Sequence, residues 1–152
     1  MRDDHGMDSH DRKLLDDVEQ HGWHVLKILA DENGPQFCYS VGMYHSLRHP
    51  EIITFGLDLM VGHRLINEAG RLAREGKPVP VGRQYDGLLE GFPVIFKPVA
   101  KEHYRNYFGY ALWFYRSDEF DALQCIWPDR DNRWPWEEKF NPHWKPQQPL
   151  LQ

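Results

Sequence analysis

Apolar positions along the chain recur at two spacings, and the switches between them predict the elements. Leu14, Leu15 and Val18 make a short stripe in a polar run. They predict a helix over about 10–21, capped by Asp8 or Ser9 and stopped at Gly22. Trp23 to Ala30 is β-rich enough for a strand, and Asp31 to Pro35 has the chemistry of a turn. Gln36 to Gly42 then alternates Phe37, Tyr39 and Val41 against Cys38 and Ser40, as the second arm of a hairpin does. Met43 to Pro50 reads as a loop, and Glu51 to Gly56 as a short strand. Leu65, Ala69, Leu72 and Ala73 fall at helical spacing behind a capping Asp58, so a second helix should run to about Glu75. Strands follow near 84–90 and at 92–99, with Pro78 and Pro80 keeping the stretch before them irregular.

The clearest period lies in Tyr104, Tyr107, Phe108, Ala111, Leu112 and Tyr115, which predict a third helix over about 101–116 with this stripe in the core. A last strand is expected at Ala122 to Trp127. Residues 128–152 hold five of the eleven prolines, together with Trp134, Trp136 and Trp144. That proline density precludes a regular element, while three large rings favour burial, so residues 128–144 should wrap over the domain. The expected fold is α+β: a small, mostly antiparallel sheet of five to six strands, with about three helices on one face. Residues 1–8 read as a flexible arm, 9–144 as one domain, and 145–152 as a frayed tail.

Composition narrows the picture. The 41% hydrophobic and 27% charged fractions suit a folded domain, and 14% aromatic residues exceed the ordinary needs of a core. The net charge of −5 is concentrated at the start, where residues 1–22 carry seven acidic and three basic side chains. No basic face emerges, so nucleic acid is not an expected partner. No apolar stretch approaches a membrane span and no leader is visible, so no membrane association is expected. Cys38 and Cys125 sit in strand-like runs and read as free core thiols, which fits a reducing cytoplasm.

Two polar-aromatic segments hold the unusual chemistry. In the first, Tyr39 and Ser40 are followed by His45, His49 and Glu51. The two histidines are four apart, as a metal pair on a helix would be, but the local sequence reads as loop and supplies no third ligand, so no metal is expected. The simplest role for His49 is to fix the turn at Pro50. If the site is catalytic, His49 is the natural general base, with Glu51 and Asp129 the other candidates. In the second segment, Trp127, Pro128 and Asp129 lead to Trp136 and Glu137. Asp129 and Glu137 could act as a carboxylate pair, or merely form a turn. Phosphate-loop, dinucleotide, nucleophile-elbow and Cys-x-x-Cys patterns are all missing.

Gly22-Trp23, Phe37-x-Tyr39-Ser40-Val41-Gly42-Met43, His49-Pro50-Glu51, Phe55-Gly56-Leu57, Gln124-x-x-Trp127-Pro128-Asp129 and Pro135-Trp136-Glu137 occur in this order. Together they resemble the bacterial domain-of-unknown-function family numbered 4262, over about residues 8–138. Ser40 and Met43 depart mildly from that family's usual Tyr-Thr-Val-Gly-Leu. The resemblance implies a bacterial cytosolic protein and supplies no reaction.

The first functional reading is therefore a small-ligand site in a cleft between segments 39–51 and 127–137. Its polar groups would be Tyr39, Ser40, His49, Glu51, Asp129 and Glu137, and its walls Trp127 and Trp136. No residue demands a cofactor. The alternative is a protein-interaction module, such as an immunity or antitoxin-like partner of a basic toxin, using the acidic start and an exposed aromatic tail. A third reading is a subunit of a homo-oligomer.

Overall fold

A computed structural model describes residues 8–152, so of the arm expected at 1–8 all but Asp8 lies outside the described residues. Among the described residues six strands follow the β-rich runs: β1 (His24–Ile28), β2 (Phe37–Val41), β3 (Glu51–Phe55), β4 (Gln84–Leu89), β5 (Phe92–Pro98) and β6 (Ala122–Ile126). Five helices accompany them: α1 (Ser9–His21), α2 (Met43–Leu47), α3 (Leu59–Arg74), α4 (Tyr104–Tyr107) and α5 (Gly109–Tyr115). Asp8 caps α1 by accepting from the Asp11 N–H, and Gly22 ends it in the left-handed conformation. Asp58 caps α3.

The strands form one sheet in the order β1-β2-β3-β6-β5-β4. Sequential neighbours pair antiparallel, and β3 with β6 is the parallel contact. The sheet is therefore mixed. Its parallel centre reflects the long chain between β3 and β6, which a tight turn cannot span.

Helices cover both faces rather than the one face expected. Leu65, Ile66 and Ala69 of α3 pack on Val25, Cys38, Ile52, Phe96 and Cys125. On the other face, Leu14 and Val18 of α1 join Tyr104, Phe108 and Ala111 over Leu26, Tyr39, Ile53 and Phe55. Adjacent residues of one strand, such as Cys38 and Tyr39, thus enter opposite cores, as strand geometry requires. Each residue of β3 and β6 is buried, so no polar-out alternation marks these strands, and the polar Glu51, Thr54 and Gln124 are buried with the rest.

Three local expectations change. The stretch 43–50 is not all loop: Met43–Leu47 is helical, and Arg48 closes that helix with φ 55°. The third helix is not continuous. It begins with a 3-10 turn at Lys101–His103 and breaks at Phe108, whose ψ of 41° is not helical. The last residues lie against the domain. Gln148 and Leu151 are each 2% exposed. The Gln148 side chain accepts from the Trp127 N–H and donates to the Trp127 carbonyl, both at 2.9 Å. Gln124 does the same for the end of the chain, accepting from the Leu151 N–H and donating to the Pro149 carbonyl. Two buried glutamines thus tie the C-terminal segment to β6 and Trp127, and no periodicity reports that.

Candidate functional site

The expected cleft between the two polar segments is not built. β3 starts at Glu51 beside Ala122 and runs parallel to β6. The Trp127 indole N–H reaches the Phe55 carbonyl, at the opposite end of β3. A five-residue strand separates the segments, about 13 Å at the usual rise.

At the first end Glu51 is fully buried and surrounded by donors. Its carboxylate accepts from Ser40 Oγ (2.7 Å), from the N–H groups of Gly42 (2.9 Å), Met43 (3.2 Å) and Tyr44 (3.2 Å), and from the Tyr115 hydroxyl. The carboxylate thus takes up the orphan N–H groups at the start of α2. Burial pushes the Glu51 carboxyl up from its ordinary value, against the pull of the Tyr115 and Ser40 hydroxyls and the backbone donors. Pairing of β2 with β3 ends at Tyr39–Ile53, and there Ser40 Oγ accepts the Ile52 N–H that the ladder would have used. Gly42 adopts φ 115°, and a Cβ on it would come within 2.8 Å of the Gly22 carbonyl oxygen. Only glycine suits that position. Tyr39 is a core ring, 1% exposed, whose hydroxyl accepts the Tyr110 N–H. Ser40, Glu51 and Tyr39 therefore hold architecture together.

At the second end Asp129 plays the same part. Its carboxylate accepts from the N–H groups of Asp131, Arg133 and Asn141, each at 2.9 Å, and so organises the loop. Glu137 is exposed and accepts the Trp134 N–H at 2.5 Å. It makes no pair with Asp129. Trp127 is buried against Trp144. Trp136 is 44% exposed, stacked on Trp134 and covered by the Lys97 ammonium at 3.8 Å. His49 is buried beside Pro50, while His45 lies on α2 against Phe114, so the pair does not converge. Cys38 and Cys125 are free and buried, and burial raises both thiol pKa values, that of Cys38 to about 11.

Polar groups converge elsewhere, along β1, the first strand of the sheet order. A groove of about 660 Å³ runs there between α1 and α3, lined among others by His10, Lys13, Asp17, His24, His63 and Asn67. Its chemical centre is Asp17, whose Oδ2 lies 2.7 Å from His24 Nδ1, with the carboxylate and imidazole 16% and 12% exposed. A carboxylate only accepts, so Nδ1 carries the proton and Nε2 is left with its lone pair. Burial favours the neutral Asp17, but the hydrogen bonds and charges of Lys13 and His24 outweigh it and hold the carboxyl below its usual range. Burial pushes His24 down, more than Asp17 raises it. The pair is thus an ionised carboxylate orienting a neutral imidazole. His10 meets the His24 ring edge-on at 5.9 Å. Burial, then the Lys27 charge, lowers His63 as well. Asn67 accepts the Trp23 indole N–H at 2.9 Å, and the Arg74 guanidinium covers that indole at 4.7 Å.

This site escaped the sequence reading. Its signal was the spacing of His10, Lys13, Asp17 and His21, which places all four on one stripe of α1. Such a stripe ordinarily means a solvated face. Only the position of β1 and α3 gives it an opposing wall. Among the described residues no group of three or more His, Cys, Asp or Glu side chains is arranged to hold a metal ion, and no helix is long and apolar enough to cross a membrane.

Sheet, helices and groove define an α+β domain with a polar groove along the β1 side. The family model described as domain of unknown function (DUF4262) matches residues 17–141, and the chain belongs to that family. Comparison with curated proteins and with solved structures returns no match. The residues that carry the family resemblance are largely those just described as holding the two sheet ends together.

Proposed function

We propose that this chain binds a small acidic molecule in the groove between α1, β1 and α3, with His24 accepting a hydrogen bond from it. The observation that carries the reading is the Asp17–His24 pair at 2.7 Å on the groove wall. A carboxylate that orients a neutral imidazole leaves one ring nitrogen as a directed acceptor, the arrangement used wherever a bound group must donate or surrender a proton. Lys13, Lys27 and Arg74 give the same groove a basic rim in a chain of net charge −5, which favours an anion.

Inorganic phosphate near pH 6.5 is a suitable probe, because it then carries both negative charge and a hydroxyl donor; sulfate carries only the charge. Thermal unfolding should show a saturable rise in Tm with phosphate that exceeds the rise with sulfate. His24→Ala should fold and lose the difference, and Lys27→Ala should weaken both. Equal stabilisation of wild type and His24→Ala, or none with phosphate or other small acids, would sink the proposal.

The partner-protein alternative has the exposed acids Asp8, Asp16 and Glu19 in its favour. It loses part of its expected surface, since Trp134 is 7% exposed and Trp144 packs on Trp127.

A further inference from the structure

His49 is left with unused chemistry. It is 7% exposed, and its Nδ1 lies 2.7 Å from the Pro50 carbonyl. A carbonyl only accepts, so Nδ1 carries the proton and Nε2 is an acceptor. Among the described residues nothing donates to that nitrogen. A buried acceptor without a partner is costly, so its surroundings bear inspection.

His49 lines a cavity of about 350 Å³, with walls from Leu47, Ala73, Pro78, Val79, Val81 and Leu123. These walls are aliphatic, and they come from the end of α2, from α3, from the loop before β4 and from β6. Val81 stands at this cavity 53% exposed, an apolar side chain left in water. Arg48 supplies a charge, with its guanidinium 5.6 Å from the centre of the Tyr44 ring. No residue of this cavity lines the groove along β1.

An open cavity with aliphatic walls and one histidine acceptor among them selects its own ligand. A cation would lose its water for no acidic partner, and the one charge at the cavity, Arg48, is already set over the Tyr44 ring. A hydrocarbon would leave Nε2 unsatisfied. We infer that this cavity is a second binding site, which takes a small uncharged ring-sized molecule bearing one hydrogen-bond donor, such as a phenol or an indole, with the donor on His49 Nε2. Burial holds the His49 imidazole below its ordinary pKa, so the acceptor lone pair persists at neutral pH.

Phenol tests this directly, with toluene as the ring that lacks a donor. In protein carrying ¹⁵N-labelled histidine, phenol should move the His49 Nε2 resonance saturably at neutral pH, and toluene should not. His49→Phe keeps a ring and removes the acceptor, and should weaken phenol binding by roughly tenfold, the worth of one hydrogen bond, with toluene unchanged. Val81→Trp, at an exposed position, should close the cavity and abolish the phenol shift without lowering Tm, which keeps the test decisive if His49→Phe folds poorly. His24→Ala should leave phenol binding intact. Phenol affinity unaltered by both His49→Phe and Val81→Trp, or no saturable shift at His49, would overturn the assignment. Such a failure would leave the groove along β1 untouched.

Discussion

Glu51 and Asp129 are both buried carboxylates fed by backbone N–H groups, yet their pKa values move in opposite directions. At Glu51 burial prevails and raises the pKa. At Asp129 burial also pushes upward, but the N–H groups of Arg133, Asn141 and Asp131 and the Arg133 charge prevail and lower it. A lowered folded pKa means fewer protons bound in the folded state, so the stability Asp129 confers is present above the ordinary aspartate value of about 3.9 and is lost as pH falls through the folded value. Glu51 runs the other way, and its contribution fades as pH rises above about 4.3 toward its folded value. Asp129→Asn should cost about 1–3 kcal/mol at neutral pH, because an amide cannot accept on both sides. It should also flatten the acid limb of a urea-unfolding series taken from neutral pH to pH 3. An unchanged acid limb would assign that limb to other carboxylates. Both residues were legible in the sequence as singular. Their role was not, because a carboxylate that binds a ligand and one that caps backbone look alike until the donors are located.

At the scale of elements, the stripe from Tyr104 to Tyr115 is core, as its period requires, although the helix carrying it breaks. The break leaves the Tyr110 N–H without a helical partner, and the Tyr39 hydroxyl from β2 accepts it at 2.9 Å. That acceptor lies 71 residues away in the chain, so no local pattern announces the break. Phe108 is fully buried between Tyr39, Tyr104 and Phe120, whereas Tyr107 is half-buried against Phe37 and Phe55. Phe108→Ala should therefore cost about 3–5 kcal/mol, and Tyr107→Ala clearly less. Chemical denaturation measures both. A loss below about 1 kcal/mol at Phe108 would contradict this packing. The short helix α2 was missed for a related reason: five residues are too few to show a period, and its N-terminus is held by Glu51 from the following strand.

For the molecule as a whole, the two ends of the sheet are closed by different devices. Glu51 and Ser40 close one. At the other, Gln148 occupies both backbone groups of Trp127, and the C-terminal segment then runs along β6 toward the Ala122 end, where the Ala100 N–H donates to the Leu151 carbonyl. Removing residues 148–152 should therefore destabilise the protein by about 2–4 kcal/mol and speed hydrogen exchange at the Trp127 N–H, because buried groups lose their partners. Unaltered exchange at that amide would mean the segment does not hold this end. Residues 145–152 read from the sequence as a frayed tail, and the glutamine contacts made with them arise only in the tertiary structure.

Local order was the sequence's own to decide. β-rich runs bounded by turn residues placed the strands, caps at Asp8 and Asp58 placed two helices, and Gly22 placed a stop, since backbone conformation and side-chain period act within a few residues. Which residues face each other was decided by the tertiary structure alone. The parallel contact of β3 with β6 sends Glu51 and Asp129 to opposite ends of the sheet, and the packing of α1 and α3 about β1 turns an ordinary polar stripe into one wall of a groove. Those pairings arise from burying two apolar faces of one sheet at once, a condition on the whole chain that no single segment carries.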